Sequence, residues 1–299
     1  MTTLSTERLE TGAVLARAAP GQVRLAWERF RRHRLAMIGL VVLAFLAASA
    51  LLADVVAPYA PDVPNVEAIR VPPGLAHPMG TDSIGRDELS RLLHGGRVSL
   101  QVGLMATSVA VALGTLLGSI SGYYGHAIDN AIMRFTDLMY TLPRLLVLLL
   151  VGAIFKTTLL LIVVLLGLTS WMTVARLVRA SFLSLREKEF VEAARTVGAG
   201  DRRIIWRHIL PNAIGPVIVA GTLGVAGAIL VESTLSYLGY GVQPPTATWG
   251  NMLQNAQSEM YAAPWLAVFP GLFIFATIMS INFVGDGLRD ALDPRSTRS

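Results

Sequence analysis

The sequence predicts an all-α integral membrane protein with six transmembrane helices. Only 15% of its 299 residues are charged and 53% are hydrophobic, and the mean hydropathy is +0.56, whereas soluble domains carry about 25% charged residues. Six apolar segments are long enough to cross a hydrocarbon core of about 30 Å at about 1.5 Å per residue. An ordinary soluble enzyme is therefore disfavoured.

The first two predicted spans are residues 35–52 and 98–121, with a long polar loop between them. The first follows the basic string RFRRHR, and a signal peptide is disfavoured because 34 residues precede this span and further spans follow it. The second span carries Gly114, Gly118 and Gly122 four residues apart. Such a ridge of small residues allows a neighbouring helix to approach closely.

The third and fourth spans come from one stretch of 41 residues with only three charges, which would make a single helix of about 60 Å and must therefore fold back. Lys156 marks the turn, so we place the spans at 135–155 and 157–175. The third span must include Asp137 and Arg144, because the purely apolar part after them has only 11 residues. These two residues are seven apart, which predicts one shared helix face.

The fifth span is predicted at 213–235 and the sixth at 265–284. The fifth has a second ridge of small residues, at Ala220, Gly224 and Ala228. Each of the two contains a proline, which a membrane helix tolerates where neighbouring helices satisfy the freed carbonyl groups.

Basic residues divide the chain by side. It consists of an N-terminal arm (1–34), a first span with its outer loop (35–97), a core (98–284) that contains the loop 176–212, and a tail (285–299). Nineteen of the 25 Lys and Arg residues fall on the side of the arm, that loop and the tail. The positive-inside rule predicts that this side, with both termini, is cytoplasmic. The high isoelectric point thus reflects topology, and no nucleic-acid partner is expected.

Several kinds of chemistry are excluded by missing motifs. The chain has no cysteine, so disulfides and cysteine-ligated metals are impossible. Neither of its two lysines follows a glycine, so it has no GK[ST] phosphate-binding loop for ATP hydrolysis. Metalloprotease HExxH and hydrolase GxSxG motifs are also missing. We predict no catalytic residue and no metal site.

Four polar side chains in the predicted spans are candidates for a translocation pathway: Asp137, Arg144, Glu232 and Asn282. A charge in hydrocarbon costs at least about 2.5 kcal/mol, so such residues are functional candidates. Glu232 is expected near the outer surface, within reach of water. For all four, a structural role in helix packing is an equally good interpretation. A proton relay through the charged three would make the protein a proton-coupled secondary transporter, and an intramembrane enzyme is the weakest hypothesis.

The cytoplasmic loop 176–212 is predicted to hold two short helices. Residues 186–196 contain no Gly or Pro and should be helical. The sequence Gly-Ala-Gly at 198–200 then breaks the helix, and Asp201 is placed to cap a second helix from Arg202 onward.

The small pair Ala193 and Ala194, beside Glu192 and Arg195, suits docking into a partner's cleft. A solvated connector is an equal alternative on physical grounds.

One motif in this loop carries a family resemblance. The string EAARTVG at 192–198, with Leu-Pro at 210–211, resembles the EAA loop of binding-protein-dependent ABC importer permeases, the segment that docks on the ATPase subunit. The general pattern often has Ile at the position of His208. The string RHILPN at 207–212 is nevertheless similar to the dipeptide and oligopeptide branch.

Further blocks are similar to the second permease subunit of that branch, so the resemblance covers about residues 27–295. The blocks are WERFRRHRLAMIGL at 27–40, HPMGTDSIGRDELSRLLHGGRVSL at 77–100, ESTLSYLGYGVQPPTATWG at 232–250 and GDGLRDALDPR at 285–295.

The resemblance implies the MetI-like permease fold of type I ABC importers and transport of peptides or related solutes across the inner membrane. It implies no cofactor in this chain, since partner ATPase subunits bind ATP and Mg. The other implied partners are a homologous second permease, an external solute-binding protein docked above residues 239–250, and the lipid bilayer. The implied ATPase-coupling residues are Glu192, Ala193, Ala194, Gly198, Asp201, Arg202 and Arg203. The solute itself stays open among peptides, glutathione, nickel complexes and sugars.

Overall fold

The computed structural model describes residues 22–293. Residues 1–21 of the predicted arm and 294–299 of the predicted tail lie outside the described residues. Within the described range the regular secondary structure is helical, apart from one isolated β-bridge between Thr81 and Asp87, and loops connect the helices.

The described residues form thirteen α-helices, labelled in chain order: α1 (Gln22–Arg32), α2 (Arg34–Leu51), α3 (Ala53–Val56), α4 (Glu88–Tyr124), α5 (His126–Thr141), α6 (Arg144–Ile154), α7 (Leu159–Leu168), α8 (Trp171–Leu185), α9 (Glu189–Thr196), α10 (Asp201–Arg203), α11 (Leu210–Tyr237), α12 (Trp249–Ala256) and α13 (Trp265–Leu292). Short 3₁₀ turns at Val66–Ala68 and Gln257–Glu259 and a π-helix at Ile204–Ile209 complete the secondary structure.

Five helical segments are long and apolar enough to cross a membrane: Arg34–Leu51, Glu88–Tyr124, Leu159–Leu185, Asp201–Tyr237 and Trp265–Leu292. The pair α5 and α6 makes a sixth crossing if it is counted as one span. Each of the six predicted spans overlaps one of these segments and differs from it by at most two residues where it extends beyond it, so the predicted all-helical architecture is confirmed.

The third span is broken rather than continuous. Helices α5 and α6 meet at an angle of 73°, because Pro143 cannot continue a helix and biases the residue before it toward extended backbone. Leu142 is extended accordingly, with φ −79° and ψ 123°. Asp137 and Arg144 therefore lie on different helices, and the prediction that they share one helix face is wrong.

Helix α4 is the centre of the fold and is longer than predicted. It starts at Glu88 and not at residue 98. Asp87 caps this start, because its side chain accepts a hydrogen bond from the backbone N–H of Ser90. At 37 residues it is about 55 Å long, so its ends extend beyond the hydrocarbon core. Helices α8 and α11 pack along it.

The predicted glycine ridge on α4 brings α8 into close contact. A Cβ added at Gly114 would lie 2.6 Å from Val174 Cβ, and one at Gly122 would lie 2.6 Å from Phe182 Cβ. Because real Cβ atoms do not approach so closely, these positions admit only glycine without a shift of α8. The predicted role of the ridge in helix packing is confirmed.

The first and last described helices lie on the same side of the protein. Phe30 of α1 and Ala36 of α2 pack with Val284 and Ala291 of α13. We call this side, where α9 also lies, the α9 side, and the opposite side the α12 side. On the α12 side Trp249 is buried and donates from Nε1 to the carbonyl oxygen of Leu92 at 3.0 Å.

Candidate functional site

Helices α9 and α10, the turn between them and the start of the following π-helix form an exposed surface, here called the platform (residues 189–206). Six of the seven predicted coupling residues are exposed on it: Glu192, Ala193, Gly198, Asp201, Arg202 and Arg203. Two apolar side chains accompany them, Val197 with 83% and Trp206 with 52% of its surface exposed. Exposed apolar groups beside basic residues are typical of a protein-docking surface.

The seventh residue, Ala194, faces the opposite way. With Val191 it is buried against a core cluster that includes Ile204 and Ile209. The prediction that Ala193 and Ala194 dock together as a pair therefore needs correction, because only the first is exposed. The second holds α9 against the subunit.

Gly198 ends α9 in a conformation that suits glycine. Its φ is +81°, and a Cβ placed there would meet nothing within 4 Å. The requirement is therefore on the backbone angle and not on space. The following N–H, that of Ala199, donates to the carbonyl oxygen of Ala194 at 3.0 Å, which closes the helix and fixes where α10 begins.

Asp201 connects the platform to α4 and does not cap a helix as predicted. Gly200 is the N-cap of α10, which places Asp201 in its first turn. Its carboxylate instead accepts a hydrogen bond from the hydroxyl of Tyr123 at 2.6 Å. The ring of Tyr123 also lies 5.8 Å from the guanidinium of Arg195. Tyr123, near the end of α4, thus contacts α9 through Arg195 and α10 through Asp201, on either side of the turn between these helices.

Arg186 makes a second connection to the same end of α4. Its Nη1 donates to the carbonyl oxygens of Gly122 and Tyr123 at 3.3 and 3.4 Å. This residue was predicted to begin a helix, but α9 starts only at Glu189. Likewise, the predicted second short helix runs on through the π-helix into α11. The platform is therefore continuous with one membrane helix and fastened to another.

Two ion pairs join α5 to α8. Arg179 contacts both carboxylate oxygens of Asp129, at 2.5 and 2.6 Å, and Ser121 donates to the same carboxylate at 2.5 Å. Arg176 contacts Asp137 at 2.6 Å. Bidentate arginine–carboxylate pairs fix geometry as well as adding energy, so α5 and α8 are held in one register.

A cavity of about 760 Å³ lies between α4, α11 and the two helix breaks α5/α6 and α7/α8. Its lining is mostly apolar and includes small residues of α11, Ala220, Gly224 and Ala228, which form the predicted second ridge. Arg144 lines it too, whereas Asp137, Glu232 and Asn282 do not. Of the four predicted pathway residues, the structure thus places one at this cavity.

Arg144 is held at the cavity by hydroxyl groups. Its Nε donates to Thr169 Oγ1 at 3.2 Å and its Nη2 to Ser170 Oγ at 2.7 Å. Within residues 22–293 it forms no ion pair. Arg144 is the first residue of α6, at the break in the third span. Charged residues within membrane segments usually face a water-filled cavity or the bundle interior.

Glu232 was predicted to lie near the outer surface, within reach of water. This prediction is wrong, because the residue lies inside the subunit. It is fully buried, and its carboxylate accepts from Ser236 at 2.7 Å and from Ser99 at 3.3 Å. It thereby connects α11 to α4. Asn282 is half-buried on α13.

Residues 114–298 match the family of binding-protein-dependent transport system inner membrane components. The chain belongs to this family. Residues 21–73 also match the N-terminal transmembrane domain of oligopeptide transport permease C. These two matches together cover residues 21–73 and 114–298.

Curated relatives of this permease cover nearly its whole length. It is 40% identical over 272 residues to the oligopeptide transport system permease protein OppC of Haemophilus influenzae, covering 90% of this chain and 88% of the relative. It is 39% identical over 275 residues to the dipeptide transport system permease protein DppC of the same organism, covering 90% and 93%. It is 40% identical over 281 residues to the glutathione transport system permease protein GsiD of Escherichia coli, covering 92% and 93%.

A solved structure of the methionine ABC transporter MetNI, in inward-facing conformations, shares the fold of this permease. The TM-score is 0.55 with 16% sequence identity, and the match covers 68% of this chain and 96% of the other. The predicted MetI-like fold of type I importers and the resemblance to the OppC and DppC permeases are therefore confirmed.

The sequence interpretation of this permease missed the ion pairs between α5 and α8. The signal was present: the two aspartates of α5 are eight residues apart and the two arginines of α8 are three apart, so each pair lies near one helix face. The antiparallel order of the helices then joins the first aspartate to the second arginine. Tyr123 was also missed, since its partner lies 78 residues away.

Proposed function

We propose that this chain is a permease subunit of an ATP-driven importer that carries peptides or related small solutes across the inner membrane, with both termini in the cytoplasm. The relatives named as peptide permeases support this over about nine-tenths of the chain. The observation that carries the mechanism is the exposed platform fastened to α4 through the Tyr123–Asp201 hydrogen bond.

In this proposal the platform receives force from a cytoplasmic ATPase subunit. ATP binding closes the ATPase pair and displaces α9 and α10, and the connections at Tyr123 and Arg186 carry that displacement to α4. Because the glycine ridge locks α8 onto α4, the two helices move as one body. The subunit then rocks between inward-facing and outward-facing states, in each of which the cavity beside Arg144 opens to one side only.

The proposed partners follow from the two ends of the molecule. A homologous second permease completes the passage, and ATPase subunits that bind ATP and Mg dock on the platform, so this chain needs neither catalytic residues nor a cofactor. A solute-binding protein docks on the α12 side, above residues 239–250. A second cavity of about 670 Å³ on that side, lined by Asp82, Arg86 and Glu88 among others, adds polar surface for that contact.

The rival hypothesis, a proton-coupled secondary transporter, receives no support from the positions of its relay residues. Glu232 is enclosed by hydroxyl groups inside the subunit, and Asp137 is paired with Arg176 at 2.6 Å. Neither lines the cavity that contains Arg144, so the three do not form a continuous path for protons.

Reconstitution with the partner subunits tests the coupling role of the platform. Replacing Glu192 with Ala together with Gly198 with Ala should reduce ATP-driven uptake at least tenfold while the partners' ATPase keeps working, because the docking surface changes and the left-handed turn is strained. Glu28→Ala is the matched control, an exposed glutamate on the same side but away from the platform. Full ATP-coupled uptake by the double variant would count heavily against the proposal.

A further inference from the structure

Among the described residues that line the cavity, Arg144 is the one charged group. Of the described residues that line this space, all others are neutral, and most are aliphatic or small. The volume of about 760 Å³ lies within the usual range of ligand pockets, about 300–1,000 Å³, and suits a short peptide. The cavity therefore offers a bound solute mostly apolar surface, which suits side chains of many types, and one positive charge, that of Arg144.

The guanidinium of Arg144 keeps free donors for a ligand. It has five N–H groups, of which two are used by Thr169 and Ser170. Both of these acceptors are neutral hydroxyls, and they donate in turn to the carbonyl oxygens of Leu165 and Leu166 at 2.8 and 2.6 Å. The hydroxyls therefore orient the guanidinium without neutralising it.

We propose that Arg144 binds the carboxylate of the transported solute at an intermediate position along its passage. A planar guanidinium matches a carboxylate with two parallel hydrogen bonds, and the terminal carboxylate is the anionic group that unmodified peptides share whatever their sequence. The site would hold acidic solutes and repel free metal cations. This inference rests on the proposed function, because a carboxylate-bearing solute must pass through this subunit.

The test compares a tripeptide, trialanine, with its C-terminal amide in proteoliposomes that hold the complete transporter. Each peptide is supplied at a concentration that saturates the binding protein, as verified by titration, so that the uptake rate reports the permease step. The variants are Arg144→Gln and Arg144→Lys. Lys156→Gln is the matched control, a cation in the turn between α6 and α7, outside the cavity.

We expect wild type to carry the free acid at least about fivefold faster than the amide. Arg144→Gln should lower uptake of the acid about tenfold and of the amide less than twofold, so that the two rates become similar. Arg144→Lys, which keeps the charge but not the paired geometry, should lower the acid rate twofold to fivefold and leave the amide rate unchanged. Lys156→Gln should behave as wild type.

Two results would overturn the inference. Equal loss of acid and amide uptake in Arg144→Gln would show that the arginine only supports the subunit or pairs with a carboxylate of the second permease. Unchanged uptake of both would show that the solute does not contact it. If the glutamine variant fails to assemble, the lysine variant decides by the same comparison. Absence of any ATP-driven uptake in wild type would instead defeat the proposed function.

Discussion

The hydrogen bond between Tyr123 and Asp201 provides a sharp test of how the platform is connected to the membrane helices. At 2.6 Å it is a short, charge-assisted bond of a kind that contributes about 1.5–3 kcal/mol. Asp201 is exposed, so water competes for it, and we take about 1–1.4 kcal/mol as the net value. Since 1.4 kcal/mol corresponds to a factor of ten, loss of the bond should slow a step that depends on it about fivefold to tenfold.

The assay is a double-mutant cycle on ATP-driven uptake, with Tyr123→Phe, Asp201→Ala and the combination, since each change removes one partner of the bond. Each single variant should lower uptake about fivefold to tenfold while ATP hydrolysis continues, and the double variant should be no worse than either single one, because both remove the same bond. Tyr124→Phe is the matched control, the adjacent tyrosine on α4, whose hydroxyl makes no hydrogen bond within residues 22–293. Multiplicative losses in the double variant would refute the reasoning, since the two groups would then act independently.

Three further predictions follow from the cavity and the ion pairs. Gly227→Leu should block uptake, because a side chain at this position enters the cavity without a clash. Gly271→Leu is the control and should have no effect, because a side chain there also meets no neighbour but lies outside the cavity. Equal uptake by the two variants would contradict the role of the cavity. Arg179→Ala should lower the thermal unfolding midpoint by several degrees, because the carboxylate of Asp129, only 12% exposed, loses its ion-pair partner. An unchanged midpoint in a thermal-shift assay would contradict this prediction. Arg70 donates two hydrogen bonds to the carboxylate of Glu259, at 2.7 and 2.9 Å, and holds the pKa of Glu259 below its usual value of 4.5. The stabilisation from this pair is therefore present above that usual value and is lost as pH falls through the lower folded-state pKa. The thermal unfolding midpoints of wild type and Glu259→Gln should differ at pH 7 and converge as pH falls through that lowered pKa, and a constant difference would contradict the assignment.

The number and approximate place of the membrane helices could be predicted from the sequence because hydropathy and length depend on local composition. The break at Pro143 was missed, although proline is a local signal that ends a helix. By contrast, the hydrogen bond from Ser99 to Glu232 and the Tyr123–Asp201 bond join residues far apart in the chain, which meet only after the helices pack. Helix periodicity says which face a residue occupies and not which partner that face meets.

Coupling to the ATPase could be inferred only from the motif's resemblance, because a solvated connector and a docking loop look alike in composition. The structure adds the orientation of each residue. It separates Ala194, which is buried, from the exposed Ala193 and Glu192, a distinction that a run of small residues does not reveal.

The most direct test of the central claim is what drives solute uptake. Proteoliposomes that hold the complete transporter should take up peptide only when ATP reaches the ATPase subunits, with the same rate after a protonophore collapses the proton gradient. Proteoliposomes with this chain alone should show no uptake under either condition. Uptake by this chain alone, driven by a proton gradient and indifferent to ATP, would contradict the account.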